Sequence, residues 1–177
     1  MADIRRLCWG FVVVDPKLIA GGVGAVILLT SRDTFDESRW TITDTGIENT
    51  PSDTELAALR LTAKRMLKIA SDGRKLGCMG ASLNVTSAYR CARVNSAIGG
   101  SPTSEHLTGR ACDFYVGNPY VWAATMRLLL QADAYGPIHQ VIIYPNSSFA
   151  HIGWYEPDDN RTARDFMQYK NGVYSYI

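Results

Sequence analysis

The stretch "TSEHLTGRACDFYV", Thr103 to Val116, holds one of only three histidines in the chain and sets a carboxylate seven residues after it. Gly109 lies between them, and Ala111–Val116 has the alternation of a strand. His106 and Asp113 are then either a loop histidine beside a strand aspartate, or half of a metal site. The second answer needs a third ligand, so the fold would have to return a distant residue to this place. His151 lies in "SSFAHIGW", a strand pattern in which Phe149, His151 and Gly153 share one face. Alone, such a histidine is more often a hydrogen-bonded core residue than a ligand. Two imidazoles and a carboxylate together are a donor set with which catalytic zinc keeps an open position.

Around these segments the punctuation is readable. Ser52 and Glu55 have the spacing of a capping box behind Pro51, and Leu56, Leu59, Ala63, Met66 and Ala70 recur as one helical stripe until "SDGRKLG" stops it. Leu83–Thr86 reads as a strand, and Tyr89–Ile98 has helical character closed by Gly99-Gly100. Pro119 opens a helix that runs to Ala134. Ile138–Tyr144 and Phe149–Trp154 read as strands around the turn "PNSS", and Asn171-Gly172 marks a hairpin flanked by tyrosines. Helices come early and strands late. The expected class is α+β, a small antiparallel sheet packed with helices, with a zinc site at one end of the sheet.

Composition narrows the function classes. With 46% apolar and 20% charged residues the chain is an ordinary soluble domain, and a net charge of +1 excludes nucleic-acid binding driven by bulk electrostatics. The basic residues Arg60, Lys64, Arg65, Lys68, Arg74 and Lys75 have the spacing of a solvated helix face. No cysteine pair has C-x-x-C spacing, and Cys112, next to Asp113 in a strand, points to the opposite face and into the core. Residues 1–30 form a separate apolar segment of unknown role, its runs Leu7–Val14 and Leu18–Leu29 broken by Asp15, Pro16 and Lys17. Neither run is long enough to span a bilayer. Two short buried strands, or a strand and a glycine-rich loop, are favoured over a membrane-associating or export segment. Residues 31–177 then make one domain ending in the tyrosine-rich hairpin.

"VTSAYRCARVNSAIGGSPTSEHLTGRACDF" followed by "HQVIIYPNSSFAHIGW" closely resembles the zinc D-alanyl-D-alanine carboxypeptidase family of peptidoglycan peptidases, which includes D-Ala-D-Ala dipeptidases and phage L-alanyl-D-glutamate endolysins. "IENTPSDTELAALRLTAKRML" is similar to the helix before the motif in the phage and prophage branch. The resemblance covers roughly Ser31 to Trp154. It implies one Zn2+ per chain held by His106, Asp113 and His151. It implies that Arg90 stabilises the oxyanion, that Ser104 touches substrate, and that Ser87 and Tyr89 line the same loop. The implied chemistry is metal-assisted amide hydrolysis of the peptidoglycan stem peptide, by a protein made in a bacterial cytoplasm and acting at the cell wall, as a released endolysin or a virion component.

The chain also departs from that family. The acidic residue that many members carry three positions before the last histidine, as general base, is Ser148 here. Glu105, His139 (where members often have aspartate in "FDQ") and Glu156 are the candidates to replace it. "SAYR" stands where "SGYR" is common. Two readings follow: an active zinc peptidase, or a catalytically silent zinc-binding structural or wall-binding module of a phage particle. A fold in which the histidines coincide without a metal is the least supported.

Overall fold

The computed structural model describes residues 35, 37–41, 45–132, 134–156 and 164–177. The expectations for residues 1–30 lie outside the described residues. After a short helix α1 (Glu37–Trp40) comes the long helix α2 (Asp53–Lys75). Its capping box is formed: Glu55 N–H donates to Ser52 Oγ (3.4 Å), and Ser52 N–H donates to Glu55 Oε2 (2.7 Å). The apolar stripe of α2 is fully buried, from Leu59 through Met66 to Ile69 and Ala70.

Strand β1 (Asn84–Ser87) leads through an extended stretch to helix α3 (Ala92–Ala97). This helix is shorter than the expected Tyr89–Ile98. The backbone N–H groups of Tyr89 and Arg90 donate to Trp40 and His106 carbonyls at 3.0 Å each, which takes both residues out of the helix. A 3-10 turn (Glu105–Thr108), strand β2 (Ala111–Tyr115) and helix α4 (Pro119–Gln131) follow. Asn118 Oδ1 caps α4 by accepting from Val121 N–H at 3.1 Å. Strands β3 (Ile138–Tyr144), β4 (Phe149–Trp154), β5 (Asp165–Lys170) and β6 (Val173–Tyr176) complete the order.

The six strands form one sheet in the order β1-β2-β4-β3-β5-β6. The class is α+β as expected, but the sheet is mixed, because β3 and β5 are parallel. Because β4 is antiparallel to β3, it leaves the sheet at the end where β3 begins. The next strand, β5, lies on the free side of β3, and entering from that end it runs alongside β3 in the same direction. The final hairpin closes at Asn171 (φ 53°) and Gly172 (φ 82°), the pair of positive φ values that a two-residue turn of the favoured hand needs.

One face of the sheet packs on α2 and α4. Cys112, Phe114, Val141, Ile143, Ala150, Ile152 and Trp154 point there and join Leu59, Met66, Trp122, Met126 and Leu130 in the core. Phe114 meets Trp122 edge to face at 5.3 Å, a contact that adds about 1 kcal/mol to the burial of the two rings. Alternation therefore sends Asp113, His151, Ile142 and Tyr144 to the other face. No described helix is long and apolar enough to cross a membrane.

Candidate metal centre

Asp113 and His151 are direct partners in the β2–β4 register, and Ile142 faces His151 from β3. Both ligand candidates thus stand at mid-strand on the open face. His106 arrives from the 3-10 turn, which is held against the sheet by short links. Arg90 N–H donates to His106 O (3.0 Å), Trp154 N–H donates to Arg110 O (2.9 Å), and Thr62 Oγ1 of α2 donates to Gly109 O (2.8 Å). Gly109 ends the turn at φ 71°, and an added Cβ there would lie 2.6 Å from Glu55 O of α2, so the turn and the helix touch through bare backbone.

Three donor atoms converge. His151 Nδ1 is 2.7 Å from Asp113 Oδ1, while His106 Nε2 is 3.2 Å from His151 Nδ1 and 3.3 Å from Asp113 Oδ1. Ligands about 2.0–2.1 Å from a tetrahedral zinc are about 3.3 Å apart, so two of the three edges match and the third is short. The tautomer supports the same conclusion. His106 Nδ1 lies against the Ala88 carbonyl, to which only an N–H can donate, so Nε2 of the neutral ring turns a lone pair toward a carboxylate oxygen. Burial is the main cause that pushes the His106 pKa down and favours that neutral form. A lone pair facing an anion repels unless a cation lies between them. The donor set fits a divalent metal of borderline softness.

The sequence profile of Peptidase M15 matches residues 37–153, about two thirds of the chain. The chain belongs to the Peptidase M15 family. No curated protein matches the chain. Membership implies a metallopeptidase, and the His106, Asp113 and His151 cluster is what a metal requires of it.

In this M15 chain a cavity of about 270 Å³ opens over the cluster, walled by Arg90, Ser104, Glu105, His139 and Tyr144 among others. Arg90 is ion-paired with Asp113 Oδ2, which leaves Oδ1 for the cluster, and its Nε donates to Ser87 Oγ at 2.7 Å. Ser87 therefore holds Arg90 and is not part of the cavity wall. Tyr89 is turned away as well. It is buried in the core, its hydroxyl donates to Glu55 Oε2 (3.2 Å), and burial with that carboxylate raises its pKa to about 12. Ser104 lines the cavity and caps the 3-10 turn through its Oγ, which accepts from His106 N–H at 3.4 Å.

The candidate bases separate clearly. Glu105 and His139 are partners, Glu105 Oε1 with His139 Nδ1, and Gln140 Nε2 donates to Glu105 Oε2 at 3.4 Å. His139 reaches the site because it sits at the irregular step of β3 between Ile138 and Gln140, with its ring 4.6 Å from that of Tyr155. Glu156 instead pairs with Arg110 at 2.6 Å, outside the cavity wall. Ser148 is a turn residue at φ 58°, also outside the wall. Sequence reasoning missed Gln140, Ile142, Tyr144 and Tyr174 as wall residues. The period-two pattern of β3 carried a signal for the first three, and Tyr174 carried none until β6 was placed.

Proposed function

We propose that this protein hydrolyses a peptide bond in the stem peptide of peptidoglycan, using zinc held by His106, Asp113 and His151. The observation that carries the reading is the convergence of two imidazole nitrogens and one carboxylate oxygen on one face, beside a walled cavity. Zinc, when bound, supplies a Lewis acid that polarises a carbonyl and acidifies water near neutral pH. Everything else falls to the chain's own side chains.

Glu105 acts as general base in place of the carboxyl missing at Ser148. It accepts a proton from the attacking water and returns it to the leaving amine nitrogen as the C–N bond breaks. His139 and Gln140 each hold one of its oxygens and orient it toward the cavity. Arg90 donates to the carbonyl oxygen as that atom gains charge, while its ion pair fixes Asp113. Ser104 contacts the substrate from the rim. The bond is that of a D,D-carboxypeptidase or of an endolysin-type peptidase, in a phage or prophage protein made in the bacterial cytoplasm and acting at the wall.

The test is digestion of purified peptidoglycan, with mass spectrometry of the products, before and after chelation and after zinc restoration. Products that vanish with chelation and return with zinc support the reading and name the bond. Zinc at one per chain with no products would mean a silent module, with the cluster serving assembly or wall binding.

A further inference from the structure

The open face of the sheet carries a second row of side chains, parallel to the metal-ligand row and two residues along each strand. The register sets Asp113, His151, Ile142, Met167 and Tyr176 side by side across β2, β4, β3, β5 and β6. One pleat further along, the same five strands present Tyr115, Phe149, Tyr144, Tyr169 and Tyr174. Tyr115 meets Phe149 edge-on at 6.2 Å, Tyr144 lies 5.8 Å from Tyr169, and Tyr169 lies 4.6 Å from Tyr174. Five adjacent strands each contribute an aromatic ring at one level, a row about 19 Å long at ordinary strand spacing.

This row belongs to the candidate site and also extends past it. Tyr144 and Tyr174 line the cavity over the metal cluster, and Tyr174 comes from β6, beyond the segment matched by the family profile. Tyr115 and Tyr174 are 46% and 55% exposed, so both ends of the row are open. On one side stand the polar metal ligands of β2 and β4 and, over β3, β5 and β6, Ile142, Met167 and Tyr176. On the other are the turns that carry Asn146 and Asn171, whose amides meet at 3.4 Å. A row of flat ring faces, edged by four phenol hydroxyls and two amides and continuous with the cavity over the metal cluster, matches a chain of pyranose rings, whose C–H faces stack on aromatics while their hydroxyls and acetamido groups point sideways.

We infer that the aromatic row from Tyr115 to Tyr174 binds the N-acetylated glycan strand from which the cleaved peptide hangs. The inference rests on the peptidoglycan reading above. Sugars stacked along the row hold the stem peptide one pleat away from the metal ligands, so the row selects polymer over free peptide.

The probe is a series of peptide-free N-acetylglucosamine oligomers, disaccharide to hexasaccharide, titrated into the zinc-loaded full chain and followed by amide chemical shifts. Hydrolysis of a sugar-free stem peptide is measured in parallel. Expected are shifts along the five strands at the level of the row, an affinity that rises with oligomer length until the row is filled, and a loss of about tenfold or more in the Tyr115→Ala/Tyr174→Ala double variant. Those two residues are the exposed ends, so the core is spared, and the wild-type shift map stands even if the variant misfolds. No binding, binding that maps elsewhere, or a row already covered by a second copy or by the N-terminal segment would overturn the inference. Oligomer binding without peptide hydrolysis would keep the glycan row and sink the peptidase reading. Hydrolysis without oligomer binding would do the reverse.

Discussion

Replacing Gly109 with alanine tests how the long helix positions the metal site, and Gly117 supplies its control. The two glycines have nearly the same backbone, φ 71° and φ 72°, so the left-handed conformation costs a Cβ the same at each, about 1–2 kcal/mol. Their surroundings differ. A Cβ at Gly117 meets nothing within 4 Å, whereas one at Gly109 lies 2.6 Å from Glu55 O and 3.1 Å from Leu59 N. These are backbone atoms of a capped helix and cannot rotate away. Either α2 or the 3-10 turn must shift, an overpacking cost of about 1–3 kcal/mol. Gly117→Ala should therefore lose about 1–2 kcal/mol and Gly109→Ala about 2–5 kcal/mol. Urea unfolding in chelator measures both without a contribution from metal binding. Because the shift moves His106, Gly109→Ala should also weaken zinc in competition with a chromophoric chelator, and Gly117→Ala should not. Equal unfolding costs in the two variants would refute the proposed contact between turn and helix.

Three further outcomes are expected. Glu105→Gln should keep zinc at one per chain and lower turnover about a hundredfold or more, since the amide cannot take a proton; wild-type turnover would remove Glu105 from the chemistry. Arg90→Lys should retain zinc but lose turnover, because one ammonium cannot reach both Ser87 and Asp113 and still meet a carbonyl oxygen; unchanged rates would make Arg90 purely structural. Asp72, although burial alone would raise it, is held below its usual pKa by Lys68, Tyr135 and Lys75. The folded state therefore binds fewer protons there than the unfolded one, and the contribution of Asp72 is present above the ordinary carboxylate range and lost as pH falls through the lowered value. In melting curves between about pH 6 and pH 2, Asp72→Asn should flatten that acid limb; an unaltered limb would assign it to other groups.

Local signals were the legible ones. The capping box at Ser52 and Glu55, the strand bounds of Ile138–Tyr144 and Phe149–Trp154, and the Asn171-Gly172 hairpin all depend on neighbours in sequence, and the structure has them as read. The parallel pair β3–β5 depends on which of the two free sheet edges the chain joins after β4 inserts, and no local pattern encodes that. Tyr89 was drawn toward the site by its neighbour Arg90, yet alternation in the extended stretch turns adjacent side chains to opposite sides, and Tyr89 went into the core. Glu105 and His106 diverge as neighbours on a turn do, His106 toward β2 and β4 and Glu105 toward β3. Both still border one cavity because the cavity lies over the open face of those strands. The pairing of Glu105 with His139 spans 34 residues and needs the irregular step in β3, so it was visible only as two separate candidates.

The central claim is that His106, Asp113 and His151 together hold the zinc. X-ray absorption at the zinc edge on the zinc-loaded chain, repeated on His151→Ala, tests it most directly. The account predicts two imidazoles and a carboxylate oxygen at about 2.0–2.2 Å in the wild type, and one imidazole fewer, with much weaker retention, in the variant. A sulfur shell at about 2.3 Å, or a spectrum unchanged by the substitution, would place the metal elsewhere and contradict the account.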